Sequence, residues 1–433
     1  MPAGERATLN WLYGLQTRGM KFGLRNVRAL LAEVGNPQDR FPSLHVAGTN
    51  GKGSTCAFLA SILTEAGLRT GLYTSPHLVR FTERIRIDGR EMPVRRLAEA
   101  VRRLRPLVEA RRATFFEATT VAAFLYFAEE GVDLAVIETG LGGRLDATNV
   151  LRPLACGITT IGLEHTEELG ATLRAIAREK AGIMKRGTPC ITGAYQPEVL
   201  RVLRQEALRR GAPLHRADRL VRMEDLGSSG GSARVRYTTR SLELSAVTLG
   251  LAGPHQRSNA RLALGMLEAA RRRGGGGGLL ARVDPPAARR GLARVARTTG
   301  LKARLQRLDG VLLDAAHNPD GVRTLVAALE AEGKRNLMVV FGVMKDKDAG
   351  AMLDALAPLA ACMVAVEARV ARSLPSRLLL DAMRRRGIPA VRGGTVAAGL
   401  RRARAMAGPR VVLVTGSHYV AGEAIEALGP EGP

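Results

Sequence analysis

At 433 residues, 46% hydrophobic and 24% charged, the sequence excludes a disordered or fibrous protein and is long enough for two cores. The formal charge of +25 invites a polyanion. The arginines, however, are spread over helical patterns (Arg95, Arg96, Arg102, Arg103; Arg271 to Arg273; Arg384 to Arg386) and aromatics are only 4%, which excludes a stacking nucleic-acid platform and leaves no specific nucleic acid as the expectation. Cys56, Cys156, Cys190 and Cys362 lie too far apart for a disulfide frame or zinc knuckle, and no segment reaches the ~20 apolar residues of a membrane span, so a reduced, soluble, cytoplasmic monomer is expected.

The first strand pattern, 43–47, runs into Gly48-Thr49-Asn50-Gly51-Lys52-Gly53-Ser54-Thr55, and a helical pattern follows from Cys56 to Ala66. Strand, glycine loop and helix bring backbone N–H groups and a helix N-terminus onto phosphate. Lys52 adds a point charge, and Ser54 or Thr55 a hydroxyl near Mg²⁺. The loop is one residue shorter than GxxxxGK[ST], with Gly53 between lysine and hydroxyl. It reads as an ATP loop.

Thr70 to Tyr73 is a second strand pattern, followed by the turn Thr74-Ser75-Pro76-His77-Leu78; helical patterns cover 94–110 and 117–130. The apolar run 133–137 ends at Glu138, ahead of Thr139-Gly140-Leu141-Gly142-Gly143-Arg144-Leu145-Asp146. A carboxylate at the carboxyl end of a parallel strand, beside a phosphate loop, suits a hard divalent cation. A strand over 154–161 precedes His165, which alone reads as a polar loop residue or a ligand. Glu179-Lys180-Ala181-Gly182 reads as a helix end capped by glycine, and nothing in the composition gives Lys180 a special task. Alternation over 233–249 predicts a small antiparallel excursion; a helix over 259–273 stops at Gly274 to Gly278, and Pro285-Pro286 opens another. The junction falls around Arg297 to Lys302. Strand patterns at 310–313, 336–341, 362–366 and 410–414 then predict a second parallel sheet, with Asp314 and His317, Met344 to Asp348, and Gly416 to His418 at equivalent strand ends.

These motifs together resemble the folylpolyglutamate synthase and dihydrofolate synthase family of the Mur ligases. The likeness runs in order through VAGTNGKGST (46–55), TSPHLVRFTERI (74–85), FFE (115–117), IETGLGGRLDATN (137–149), EHT (164–166), REKAGIMK (178–185), GPHQRSNA (253–260), DAAHNP (314–319), MKDKD (344–348) and TGSHY (415–419). It implies an α/β fold: an N-terminal P-loop ATPase domain over 1–298, mostly parallel sheet with helices on both faces, and a smaller Rossmann-like domain over 299–433. It implies ATP-dependent ligation of L-glutamate to dihydropteroate or reduced folates through an acyl phosphate.

By the same resemblance Gly48, Thr49, Asn50, Gly51, Lys52, Gly53 and Ser54 take the ATP phosphates, with Asn259, Arg304 and Asp314 as further nucleotide contacts. Ser75, Glu138 and His165 hold Mg²⁺, and Lys180 is carbamylated. Arg84, His317 and Ser417 surround the incoming glutamate; Phe116, Glu117, Leu145, Asp146 and Ala147 line the pterin site. Lys52, Lys180 and His317 are the expected catalytic groups. Three departures stand out: Leu301-Lys302-Ala303-Arg304 replaces a Trp-Pro-Gly-like turn, Glu164 replaces the common Asp, and Lys21-Phe22-Gly23 stands where some bifunctional members carry an acidic residue. The alternatives are a polyglutamylation-only enzyme and, from the charge alone, a basic nucleic-acid-binding NTPase.

Overall fold

The structure, a computed structural model, describes residues 3–19, 21, 23–229, 232–274 and 278–429. Phe22 and most of the 274–278 glycine run lie outside the described residues. Among the described residues three sheets are present. The first has eight strands: β1 Ser43–Ala47, β2 Thr70–Tyr73, β3 Ile85–Ile87, β4 Arg90–Glu91, β5 Leu134–Glu138, β6 Ala155–Ile158, β7 Cys190–Thr192 and β8 Leu214–Arg216. They stand in the order β4-β3-β2-β5-β1-β6-β7-β8. All are parallel except β3 and β4, which turn back as an antiparallel edge. β1 and β5 are buried at every residue, which explains their unbroken apolar runs.

The alternating stretch opens into a three-stranded antiparallel sheet, β9 Arg222–Ser229, β10 Ser232–Thr238 and β11 Glu243–Ala252. Its inner face (Val235, Tyr237, Leu244, Leu249) joins one core with the helix Lys52–Glu65. That helix is apolar around most of its circumference. The helix Pro285–Ala293 crosses it so closely that a Cβ on Gly291 would stand 2.5 Å from the Ile62 Cα, and Ser61 Oγ donates to the Gly291 carbonyl at 2.8 Å.

The chain leaves this region after the helix Val295–Thr299, and the third sheet begins at β12 Gln306–Leu308. β13 Val311–Leu313, β14 Leu337–Phe341, β15 Ala360–Glu367, β16 Ala390–Thr395 and β17 Val412–Thr415 complete it in the order β12-β13-β17-β14-β15-β16. Only β12 is antiparallel, a strand absent from the sequence pattern. β13, β17 and β14 are neighbours, so the loops after them share one sheet edge, as expected. The helix Leu173–Lys180 continues into a short 3-10 turn, Ala181–Ile183, rather than ending on a glycine cap. Gly182 serves another need: a Cβ there would meet the Arg144 Cα at 2.2 Å. Among the described residues no helix is long and apolar enough to cross a membrane.

Candidate active site

The carboxyl ends of β1, β5 and β6 carry the first half of the site. Gly48 leaves β1 at φ 148°, and Gly51 turns left-handed at φ 87° to start the helix Lys52–Glu65. Neither position has room for a side chain: a Cβ on Gly48 would lie 1.7 Å from Thr159 Oγ1, and one on Gly51 would lie 2.4 Å from Asn259 Oδ1. Gly53 faces Arg304 and Glu138, each 3.7 Å from the position of an added Cβ. Lys52 folds over the loop, donating to the carbonyls of Gly48 and Thr49 at 3.1 and 3.0 Å. Thr49 is tied to Gly162 by hydrogen bonds in both directions, 3.2 and 3.0 Å. Ser54 and Thr55 are buried in the first turn behind the loop.

Glu138 is buried at the end of β5, one oxygen accepting the Ser75 N–H at 3.0 Å. Burial raises its pKa, opposed by the charges of Lys52, Arg304 and Arg84. A buried carboxylate among cations, beside the Ser75 loop, has the oxygen chemistry a divalent ion takes. His165 sits left-handed at φ 52°, near Glu164 and Glu168; burial lowers its pKa to about 4, keeping the ring neutral as a metal ligand must be. Lys180, 4% exposed, donates from Nζ to the Gly48 carbonyl at 2.6 Å. Burial, reinforced by the charge of Lys52, lowers its pKa to about 7. This places a partly neutral amine against the phosphate loop, a feature with no trace in composition.

The third sheet supplies the opposite wall. Asp314 is buried, its oxygens accepting the N–H groups of Leu305 and Ala316 at 3.0 and 2.9 Å. Burial raises its pKa against the charge of Arg304. Asn318 and Asn50, 268 residues apart, exchange amide hydrogen bonds at 3.2 and 3.1 Å. His317 sets Nε2 2.9 Å from Glu164 Oε1, and Lys347 Nζ lies 3.3 Å from the same oxygen. Burial pushes Glu164 upward, but the His317 hydrogen bond and the charges of His317, Lys52 and Lys347 outweigh it, and its carboxyl lies well below the usual range. A cavity of about 50 Å³ lies where Gly53, Thr74, Pro76 and His77 face Lys302, Arg304 and His418. A larger open recess of about 430 Å³ lies over the helix Pro197–Arg210, and none of the residues singled out from the sequence line it.

Beside β2 and β5 is an aromatic cluster. Arg84, 7% exposed, donates from Nε to His77 Nδ1 at 2.8 Å and stands 5.3 Å over the Phe115 ring. Burial lowers its pKa. Among the described residues no carboxylate pairs with it, so a buried guanidinium faces the cluster with unused donors. Tyr13 stacks on Phe115 and reaches His77 Nε2 at 3.4 Å. Phe116 packs on Gly140, where a Cβ would sit 2.4 Å from its ring, and Leu145 is half-buried.

Three of the expected substrate contacts are engaged within the protein. Glu117 and Thr114 form a reciprocal cap on the helix Phe115–Glu129, with bonds of 2.8 to 3.2 Å. Asp146 accepts from the N–H groups of Gly140 and Leu141 at 2.9 and 2.8 Å, and from Thr148 through its N–H and hydroxyl. Ser417 caps the last helix at Tyr419 N, 3.1 Å. These three side chains shape the loops, and Ala147 is buried behind them. His77 and Glu164 hold positions in the site that the sequence assigns to neither, while Asn318 and Lys347 lie on polar loops expected at this sheet edge but without assigned contacts.

Residues 46–267 match the Mur ligase middle domain, and residues 303–418 match the Mur ligase glutamate ligase domain. The chain is 38% identical over 430 residues to a probable bifunctional folylpolyglutamate synthase/dihydropteroate synthase of Haloferax volcanii, covering 96% of this chain and 49% of that protein. It thus spans about half the length of that relative. It is 38% identical over 362 residues to the dihydrofolate synthase/folylpolyglutamate synthase of Bacillus subtilis, covering 81% and 82% of the two chains. The folylpolyglutamate synthase of Mycobacterium tuberculosis, solved with ADP and AMPPCP, superposes with TM-score 0.89 at 33% identity over 99% of this chain and 100% of that one. The bifunctional Yersinia pestis enzyme, solved with AMPPNP and Mn ion, gives 0.85 at 29% identity over 99% of each chain. A glycine loop, a buried carboxylate and a cationic second wall meet in one cleft, and the matches show that the chain belongs to the folylpolyglutamate synthase/dihydrofolate synthase family of Mur ligases, ADP-forming ATP-dependent ligases.

Proposed function

We propose that this ligase joins L-glutamate to dihydropteroate and adds further γ-linked glutamates to reduced folates. The observation that carries the reading is the convergence, across two sheets, of the Gly48 to Lys52 loop with Asn318 through Asn50 and of Glu164 with His317, together with a buried Arg84 that has no carboxylate partner among the described residues. A carboxylate resists attack by an amine because oxide is a poor leaving group. Its oxygen first attacks the γ-phosphorus of ATP; the bridging P–O bond breaks and ADP leaves. The amine nitrogen of glutamate then attacks the acyl carbon, loses a proton, and expels inorganic phosphate. Positioning and charge neutralisation carry both steps.

In this proposal the loop from Gly48 to Ser54 and the Lys52 ammonium receive the phosphates, while Asn259, Arg304 and Asp314 make further nucleotide contacts. Ser75, Glu138 and His165 hold a Mg²⁺ ion, which supplies charge neutralisation at the phosphoryl oxygens. A carbamate on Lys180 adds a further anionic ligand. Arg84 pairs with a substrate carboxylate, and Phe116 and Leu145 with the pterin body. Asp146, Ala147, Glu117 and Ser417 act by fixing the loops that present these groups. The boundary between the two working halves falls at 298/299, and the enzyme acts as a cytoplasmic monomer.

Purified protein incubated with ATP, Mg²⁺, glutamate and dihydropteroate should yield dihydrofolate and ADP in equal amounts, and with a reduced folate a longer glutamyl chain. ADP release with the folate alone would remove the first activity; release with neither, but with RNA, would replace the reading by a nucleic-acid-dependent NTPase. Lys52→Ala should lower turnover at least ~100-fold with unchanged thermal unfolding, because it deletes charge without opening a cavity.

A further inference from the structure

We propose that Glu164 is a positioning residue whose carboxylate, offered from the first sheet, fastens His317 and Lys347 of the third sheet across the cleft. The proposal rests on the ligase reading for what the fastened groups do, and on geometry for the fastening itself. One oxygen, Glu164 Oε1, receives both partners, at 2.9 Å from His317 Nε2 and 3.3 Å from Lys347 Nζ. All three side chains are sheltered: Glu164 is 6% exposed, Lys347 10% and His317 27%. Charge-assisted hydrogen bonds in such surroundings are the strong kind.

Neither partner has an equivalent hold on its own sheet. His317 Nδ1 rests on the Ala315 carbonyl at 3.0 Å and its ring meets His418 at 4.5 Å, contacts that set its tilt but offer Nε2 nothing. Among the described residues of its own sheet Lys347 has only Asp346, at 3.5 Å, and Asp346 is itself held by Arg372 at 3.0 Å. The loop from 314 to 318 and the loop from 344 to 348 leave different strands, β13 and β14, separated by β17. Glu164 is the one group among the described residues bonded to both. Its extra methylene relative to aspartate gives the reach. The Asn50–Asn318 amide pair crosses the same gap one residue beyond His317, so the two contacts together set both the position and the rotation of the His317 loop over the phosphate loop.

The test uses the full-length protein with Glu164→Gln, Lys347→Met and the double variant. Each single change should raise KM for glutamate about tenfold, the effect expected of one lost charge-assisted hydrogen bond, with ADP affinity by calorimetry within twofold of the parent. The double variant should be no worse than Glu164→Gln alone, because Lys347→Met removes a bond that Glu164→Gln has already disrupted. X-ray scattering with ADP bound should show a larger radius of gyration in every variant, a readout independent of folate chemistry. Additive effects, or unchanged glutamate KM with unchanged scattering, would overturn the proposal. So would a fall in Mn²⁺ affinity without a change in glutamate KM, which would make Glu164 a metal ligand. Expansion of the variants in an enzyme that turns over no folate would leave the fastening standing and remove the ligase reading alone.

Discussion

Lys180 offers the sharpest test of the chemistry. Its amine is buried, its one hydrogen bond runs to the Gly48 carbonyl at 2.6 Å, and its pKa falls to about 7 because burial and the neighbouring Lys52 charge both disfavour the ammonium. At pH 7.5 roughly three-quarters of such amines are neutral, against roughly 0.1% of ordinary lysines, a gain of several hundredfold in the form that attacks CO₂. In the proposed carbamylation the nitrogen lone pair would bond to the CO₂ carbon, one N–H proton would leave to solvent, and a cationic site would become anionic. The repulsion between Lys180 and Lys52 then turns into attraction, so the product is stabilised by the same neighbour that activated the amine. With ¹³C-bicarbonate, one carbamate carbon per chain should appear by NMR. Its intensity should rise as pH climbs through about 7, where the amine loses its proton, and disappear toward pH 5. Lys180→Ala should lose at least ~100-fold in turnover and regain part of it with formate or acetate, which restore charge without the tether. Absence of the carbon signal at pH 8, together with an alanine variant within twofold of the parent, would mean that Lys180 carries no carbamate and has no part in turnover.

Two further substitutions probe the walls of the site. Gly51→Ala forces a side chain into a left-handed turn, costing about 1–2 kcal/mol, and drives it against Asn259 Oδ1 at 2.4 Å; ADP affinity by calorimetry should fall at least ~10-fold, and unchanged binding would discount the close approach. Asp146→Asn sets an amide NH₂ among four N–H and O–H donors, so urea unfolding should show a loss of about 1–3 kcal/mol, and an unmoved midpoint would mean the loop relaxes freely.

Much of the fold is written locally. β1 and β5 are apolar throughout because both faces are covered, and the glycines at 48 and 51 mark a backbone that must curl where no Cβ fits. The three polar loops of the third sheet are legible because polar residues and glycines follow apolar runs. Other strands escape the sequence pattern for different reasons: β7 has three residues, and β16, Ala390–Thr395, is an edge strand with two glycines and an arginine, where no alternation can develop. The roles of Glu117, Asp146 and Ser417 were harder, since a carboxylate or hydroxyl near N–H groups looks alike whether it caps a loop or waits for a substrate. Thr114-Phe115-Phe116-Glu117 nevertheless has the spacing of a reciprocal helix cap, a signal present in the chain. Glu164 and Lys347 could not be paired from sequence, because their meeting depends on how two sheets face each other across 183 residues.

The helix behind the nucleotide loop has its own consequence. Lys52–Glu65 is made early in the chain, yet the covering that dries its far side comes from Gly291 and its neighbours, held by Ser61 and by the Arg290–Glu65 ion pair at 3.0 Å. A ribosome must therefore synthesise the intervening residues, Ser61 and Gly291 being 230 apart, before that surface is shielded from water. A nascent chain halted short of this point carries the complete glycine motif on an unfinished support, and chaperones rather than ATP are its natural company.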